Sequence, residues 1–164
     1  SRPAMLQNCS GRPATRQVFE FLESLTPGDS ATVDDSMAAA LRMHRGRGIA
    51  IVLSDFLTTG DVSRSFNRLN SAGLEIFAIQ ILGPNEIEPD VTGDVRLVDS
   101  ETGRTLDVSS ARDLLELYHE HRLTLQSNLA LQCRSRNGRF ESVSSAETLE
   151  VILFERLLRR GWIR

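Results

Sequence analysis

Gly48-Ile49-Ala50-Ile51-Val52-Leu53-Ser54-Asp55-Phe56-Leu57-Thr58-Thr59-Gly60-Asp61 is the stretch whose reading decides the fold. Ile49 to Leu53 is an unbroken apolar run, β-branched at three of its five positions, the composition of a strand covered on both faces. It predicts a central strand of an α/β sheet. Ligands of open α/β sheets bind in the crevice beyond the strand carboxyl ends, and Ser54, Asp55, Thr58, Thr59 and Asp61 place several oxygens in the loop that leaves this strand. Oxygen-only donor sets suit hard cations such as Mg²⁺ or Ca²⁺. The same residues also read as ordinary local structure, with Ser54 and Asp55 closing a turn and Asp61 capping the next helix.

Upstream, Pro13 suits the first turn of a helix, and Val18, Phe19, Leu22 and Leu25 follow at helical spacing until Pro27-Gly28, which predicts a helix with one core face. Val33 to Met43 reads as a second helix, acidic at its start and basic at its end, capped by Gly46. Downstream, Val62, Phe66 and Leu69 mark a helix ended by Gly73, and Leu74 to Leu82 is the next strand. Strand, helix and strand make a βαβ unit, so the two strands are expected to be parallel neighbours. Gly83 to Asp94 is acidic and Pro-punctuated, hence a loop. Val95 to Val98 and Arg104 to Val108 alternate around Asp99 to Gly103 as a hairpin expected to decorate the sheet end. The longest helix opens at Ser110 and carries Leu114, Leu117, Tyr118, His121, Leu125 and Leu129 towards Gly138. A short strand from Arg139 to Val143 follows. Ser144 and Glu147 then form a capping box for a final helix, Ala146 to Arg160, with Leu149, Ile152, Leu153 and Leu157 inward. The fold class expected is α/β: an open, doubly wound, mostly parallel sheet in a single domain spanning 1–164.

A chain of 164 residues, 40% hydrophobic and 25% charged, can bury a proper core. Its formal net charge of -3 gives no global attraction to nucleic acid or anionic lipid. All nineteen basic residues are Arg and none is Lys. That excludes a P-loop, a pyridoxal Schiff base and a phosphoacceptor receiver domain, each of which uses a lysine. Cys9 and Cys133 fit no metal or redox spacing, and Cys133 falls in an apolar helical pattern as a buried thiol, in keeping with a reducing cytoplasmic setting. No apolar stretch approaches the roughly 20 residues of a membrane span. The chain begins at Ser1 rather than Met, so a longer and membrane-anchored parent is compatible with it.

Catalytic constellations are sparse. His119 and His121 are two apart on a helix and point to different sides, so they do not form a metal pair, and His44 is an end-of-helix cation. There is no Gly-x-Ser-x-Gly elbow and no dinucleotide fingerprint. Glu86, Glu88 and Asp90 lie in a Pro-flanked acidic loop that reads as solvated. Arg156, Arg159, Arg160 and Arg164 could meet a phosphate or an acidic partner, or simply offset a helix dipole.

Two pieces stand in a suggestive order: Gly28-Asp29-Ser30-Ala31-Thr32 before a helix, then Ile51-Val52-Leu53-Ser54-Asp55-Phe56 at a strand end. Together they resemble the second and third parts of the metal-ion-dependent adhesion site of von Willebrand factor A domains. By that resemblance Thr32 matches the loop threonine and Asp55 the turn aspartate that help hold Mg²⁺, with Phe56 standing where glycine is usual. Closer still is the likeness to the bacterial domain-of-unknown-function family 58, a von Willebrand A-like group often encoded beside MoxR-type AAA+ ATPases. It rests on the Ser-Asp-Phe turn, the Val95 to Gly103 segment, the Tyr118 helix and the ending Leu157-Leu158-Arg159-Arg160-Gly161.

The family's first motif, Asp-x-Ser-x-Ser after the first strand, is expected upstream of Ser1, and no stretch of this chain is read as supplying it. The expectation is therefore the carboxyl part of such a domain with an incomplete metal site, binding Mg²⁺ weakly or not at all. The resemblance implies a binding and scaffolding module, not an enzyme, with a MoxR-type AAA+ ATPase as partner. The alternative is a small Mg²⁺-dependent hydrolase or phosphoryl-transfer enzyme using Asp55. Without the strand that bears the first motif, Ile49 to Leu53 is left unpaired on one side. It is expected to be covered by residues near Ser1 to Cys9 or by a second copy in a two-fold homodimer.

Overall fold

Leu74–Leu82, an almost uninterrupted apolar strand, takes the middle of the sheet. The computed structural model describes residues 4–6, 9–26, 33–57, 62–90, 95–98, 105–108 and 111–163. In chain order the elements are α1 (Arg12–Ser24), α2 (Val33–Met43), β1 (Gly48–Ser54), α3 (Ser63–Ser71), β2 (Leu74–Leu82), α4 (Pro84–Ile87), β3 (Val95–Val98), β4 (Thr105–Val108), α5 (Ala111–Arg134) and β5 (Arg139–Ser144). A final helix, Val151–Leu158, is wound with π-type turns. The three-stranded parallel sheet has the order β1-β2-β5. β2 and β5 run from Phe77 opposite Arg139 to Leu82 opposite Ser144. β3 and β4 form the expected antiparallel hairpin, a separate two-stranded sheet.

The chain divides into two compact units. Ser1–Gly48 with Phe56–Leu74 makes the first, Ile49–Asp55 with Glu75–Arg164 the second. In the first, Met37 and Ala39 of α2 and Ser65, Phe66 and Leu69 of α3 are buried. The Ser65 hydroxyl donates to the Asp34 carboxylate, tying α3 to α2. Asp34, a helix-dipole residue by sequence, thus also links two helices.

In the second unit Ile76, Ala78, Gln80 and Leu82, one face of β2, are all but fully buried. α5 packs along β5 and contributes Leu129 and Cys133 to that core. Burial pushes the Cys133 thiol up to about 11, so it stays protonated and unreactive, as the sequence suggested. The turn from α5 into β5 depends on Gly138. A Cβ there would lie 2.6 Å from the Ile76 carbonyl oxygen and 3.1 Å from that of Cys133, both rigid backbone atoms.

Several expected core faces are open. In α1 only Ala14 is buried, while Val18, Phe19, Leu22 and Leu25 are exposed. Periodicity reports a stripe that gains from burial but does not supply its partner. Ile49, Ile51 and Leu53 of β1 are 56%, 66% and 61% exposed, so this strand is the edge of the described sheet and not its covered centre. Of the stretch from Ser1 to Cys9 that was expected to cover it, residues 1–3 and 7–8 lie outside the described residues. In α5, Leu117 and His121 also lie outward. In the final helix Leu157 is buried but Leu153 is exposed, as is Leu149 just ahead of it. π-type turns take more residues per turn than the 3.6 on which the inward set was predicted, which rotates the stripe. The acidic segment after β2, expected as loop, begins with the short helix α4, whose Gly83 N–H is capped by the Glu86 carboxylate at 2.5 Å.

Candidate functional site

The polar turn at the carboxyl end of β1 is held from beneath by a closed hydrogen-bond network. Gln80, completely buried in β2, donates from Nε2 to the Asp55 carbonyl at 2.7 Å. Its Oε1 accepts from Gln126 Nε2 of α5 and from Ser142 Oγ of β5, each at 3.0 Å. Gln126 Nε2 also reaches Ser142 Oγ at 2.9 Å. A buried amide costs little only when its donors and acceptors are all used, and here one glutamine joins two strands, one helix and the Asp55 backbone. The turn is thereby preorganised. The Asp55 side chain is exposed, and the Ser54 hydroxyl lies 3.4 Å from its Oδ1.

Phe56, the residue after Asp55, has φ 55, the left-handed region that favours glycine. Its ring is 2% exposed and meets Phe66 edge-on at 6.4 Å and 78° within the first unit. A phenylalanine stands where the resembled turn has glycine because ring burial offsets the backbone strain.

Of the two predicted metal residues, Asp55 lies at the carboxyl end of β1, where the reading placed it. Thr32 lies outside the described residues, and with it the expected approach of Thr32 to Asp55. Sequence reading passed over Asp61-Val62-Ser63-Arg64-Ser65, which does spell Asp-x-Ser-x-Ser. Ser63 and Ser65 sit in α3, where residues two apart diverge by roughly 200°. Ser65 is buried against Asp34, and Asp61 lies outside the described residues. Ser63 and Ser65 therefore do not point to one place. Among the described residues no cluster of three or more His, Cys, Asp or Glu could hold a metal.

Tyr118, His44, His119, Arg156 and Arg160 have structural partners. Tyr118 donates to the Glu86 carbonyl at 2.5 Å, and burial raises its pKa, opposed by the nearby Arg122. Arg122 Nε is buried with no hydrogen-bond partner among the described residues. His44 bonds the Gly46 carbonyl at 2.7 Å and closes the turn before β1. The His119 ring packs on Tyr118 at 5.9 Å. Of the carboxyl-terminal arginines, Arg156 and Arg160 hold carboxylates: Arg156 Nε meets Glu147 at 2.6 Å, and Arg156 and Arg160 both reach Glu141.

A parallel sheet flanked by helices, with a preorganised polar turn at a strand carboxyl end, is an open Rossmann-like α/β fold. The chain belongs to the family described as Protein of unknown function DUF58, whose model matches residues 7–127. Uncharacterized protein MAV169 of Mycobacterium avium is 30% identical over 137 residues, 82% of this chain and 78% of that protein. Uncharacterized protein Rv1480 of Mycobacterium tuberculosis is 40% identical over 77 residues, 46% of this chain, which spans only 23% of that relative's length. Among solved structures, the conserved hypothetical protein BatB from Bacteroides thetaiotaomicron aligns over 90% of this chain and 70% of its own, at 12% identity and TM-score 0.45. An uncharacterized membrane spanning protein from Vibrio fischeri aligns over 89% and 65%, at 14% identity and TM-score 0.34. No described helix of the present chain is long and apolar enough to cross a membrane.

Proposed function

We propose that this chain is a protein-binding module of von Willebrand A type, not an enzyme, and that the β1 edge is its adhesive element. The observation that carries the reading is the exposure of Ile49, Ile51 and Leu53, each more than half open on one face of a strand at the end of the described sheet. Burying such a side chain is worth about 1.5–3 kcal/mol, and a flat apolar edge without Lys or Pro is a template for another strand. A protein partner supplies that strand. By the family resemblance it is a MoxR-type AAA+ ATPase, and in its absence a second copy takes its place about a two-fold axis.

Ile51→Lys separates association from folding. Because Ile51 is 66% exposed in the single chain, the variant is expected to keep its thermal midpoint while losing self-association in light scattering and binding to a purified MoxR-type ATPase. An unmodified chain that stays monomeric at high concentration and ignores the ATPase would overturn the reading, as would turnover of a generic phosphoester that Asp55→Asn abolishes.

Metal affinity is expected to be low. Among the described residues the Ser54 hydroxyl lies beside the Asp55 carboxylate; that pair alone would leave Mg²⁺ mostly hydrated, and Mg²⁺ gives up water reluctantly. Calorimetry should give no saturable Mg²⁺ isotherm up to millimolar concentration. Micromolar binding abolished by Asp55→Ala would contradict this.

A further inference from the structure

At the amino ends of β2 and β5, the opposite end of the sheet from Asp55, lies an open cleft of about 500 Å³. Arg134, Arg139, Phe140, Arg160 and Trp162 line it. The three guanidinium groups come from three places in the chain: the last turn of α5, the start of β5 and the turn that follows the final helix. No carboxylate belongs to the lining.

The charges around the cleft do not cancel. Arg139 Nε lies 3.7 Å from Glu75, and its Nη1 donates to the Gly161 carbonyl. Arg160 and Arg156 are set against Glu141 and Glu147. Arg134 has no ion pair or side-chain hydrogen bond among the described residues, so the cleft keeps one uncompensated cation. Each guanidinium carries five N–H donors in a planar fork matched to carboxylate, and Arg139 and Arg160 retain donors beyond those already used.

The apolar wall is also in place. Trp162 meets Phe77 edge-on at 5.0 Å, the Arg139 guanidinium lies 5.1 Å from the centre of that same ring, and the Trp162 backbone N–H donates to the Leu157 carbonyl at 2.9 Å. Little ordering of the Trp162 and Arg139 side chains is left for a ligand to impose, and Arg134 is the side chain that it would order.

The geometry points to a binding site for a peptide carboxylate carried beside an apolar or aromatic side chain, the carboxylate on Arg134 and the side chain against Trp162 and Phe140. A single excess positive charge matches one carboxylate better than a dianionic phosphate. The volume falls within the range of small-ligand clefts. This site is separate from the β1 edge and does not rest on the function proposed for it.

Trp162 is the chain's only tryptophan, so its emission reports occupancy directly. Titration of the whole chain with acetyl-Gln-Gln-Phe bearing a free carboxyl terminus should give a saturable spectral change. Acetyl-Gln-Gln-Phe-amide should bind about tenfold more weakly or worse, as charge-assisted pairing requires. Arg134→Glu should weaken the acid peptide by at least about tenfold with an unchanged thermal midpoint, and Arg134→Gln by less. Equal binding of acid and amide, no saturable response at millimolar peptide, or an Arg134→Glu chain that binds normally would each overturn the proposal. Tighter binding of inorganic phosphate than of the acid peptide would overturn it in favour of a phosphate site.

Discussion

Phe56→Ala is expected to destabilise the chain by about 3–5 kcal/mol, the usual cost of truncating a buried phenylalanine, and Phe56→Gly by about 1 kcal/mol less. The ring is 2% exposed and packs on Phe66, so either change empties the same cavity. The two differ in the backbone. At φ 55 alanine keeps the clash between Cβ and the neighbouring carbonyl that phenylalanine tolerates, whereas glycine has no Cβ to strain. Elsewhere glycine is the worse choice, because the unfolded chain then has more freedom to lose. The order of stability is therefore wild type, then Gly, then Ala. Urea unfolding of the three proteins at equal m-values gives the test. A Gly variant no more stable than the Ala variant would show that the left-handed turn stores no strain.

The elements were legible where one local signal was sufficient. The helix from Val33 to Met43 has acidic residues first and Arg42 near its end, and the sequence and structure agree on its bounds. Leu74 to Leu82 agrees likewise, bracketed by Gly73 at φ 79 and by Gly83-Pro84. What pattern alone could not supply was the other side of each contact. An apolar run such as Ile49 to Leu53 has the same composition in the middle of a sheet as at its edge, and only the strand order separates the two cases. The stripe of α1 is equally amphipathic whether or not something lies against it.

The site divides in the same way. Asp55 could be found because a polar loop after a buried-type strand is a positional rule. Gln80 could not. A glutamine inside an apolar strand reads as an interruption, and its meaning comes from Gln126 and Ser142, which arrive from 46 and 62 residues away. The arginine cleft was hidden for the same reason, because Arg134, Arg139 and Arg160 come from three places in the chain. The sequence grouped Arg160 with Arg156 and Arg159 on its own helix. It held no signal that Glu141, on a strand ahead of that helix, would be their counter-charge.

Removing that counter-charge relation should be the most damaging surface-directed change in the second unit. The Glu141 side chain is 3% exposed on β5, and Arg156 and Arg160 are its ion-pair partners among the described residues. Arg156→Met with Arg160→Met leaves a desolvated carboxylate without partners, and breaking a buried pair in this way costs about 3–5 kcal/mol. Each single variant should cost much less, because the other arginine remains. Adding Glu141→Leu to the double variant should recover most of the loss, since a buried ion pair replaced whole by apolar groups is close to neutral. The same cluster carries a pH signature. The side-chain hydrogen bond from Arg156 is the main cause that holds the Glu147 carboxyl below its ordinary value, helped by the Ser144 N–H at 3.1 Å and opposed by desolvation. A carboxyl with a lowered folded pKa contributes stability that is complete above the unfolded value, about 4.3, and is lost as pH falls through the folded value. Wild type should therefore weaken as pH drops below that range, and Arg156→Met should weaken less steeply over the same interval. Thermal unfolding of wild type, single, double and triple variants across acid pH reads both effects. A triple variant no more stable than the double would mean that Glu141 is not what the arginines compensate.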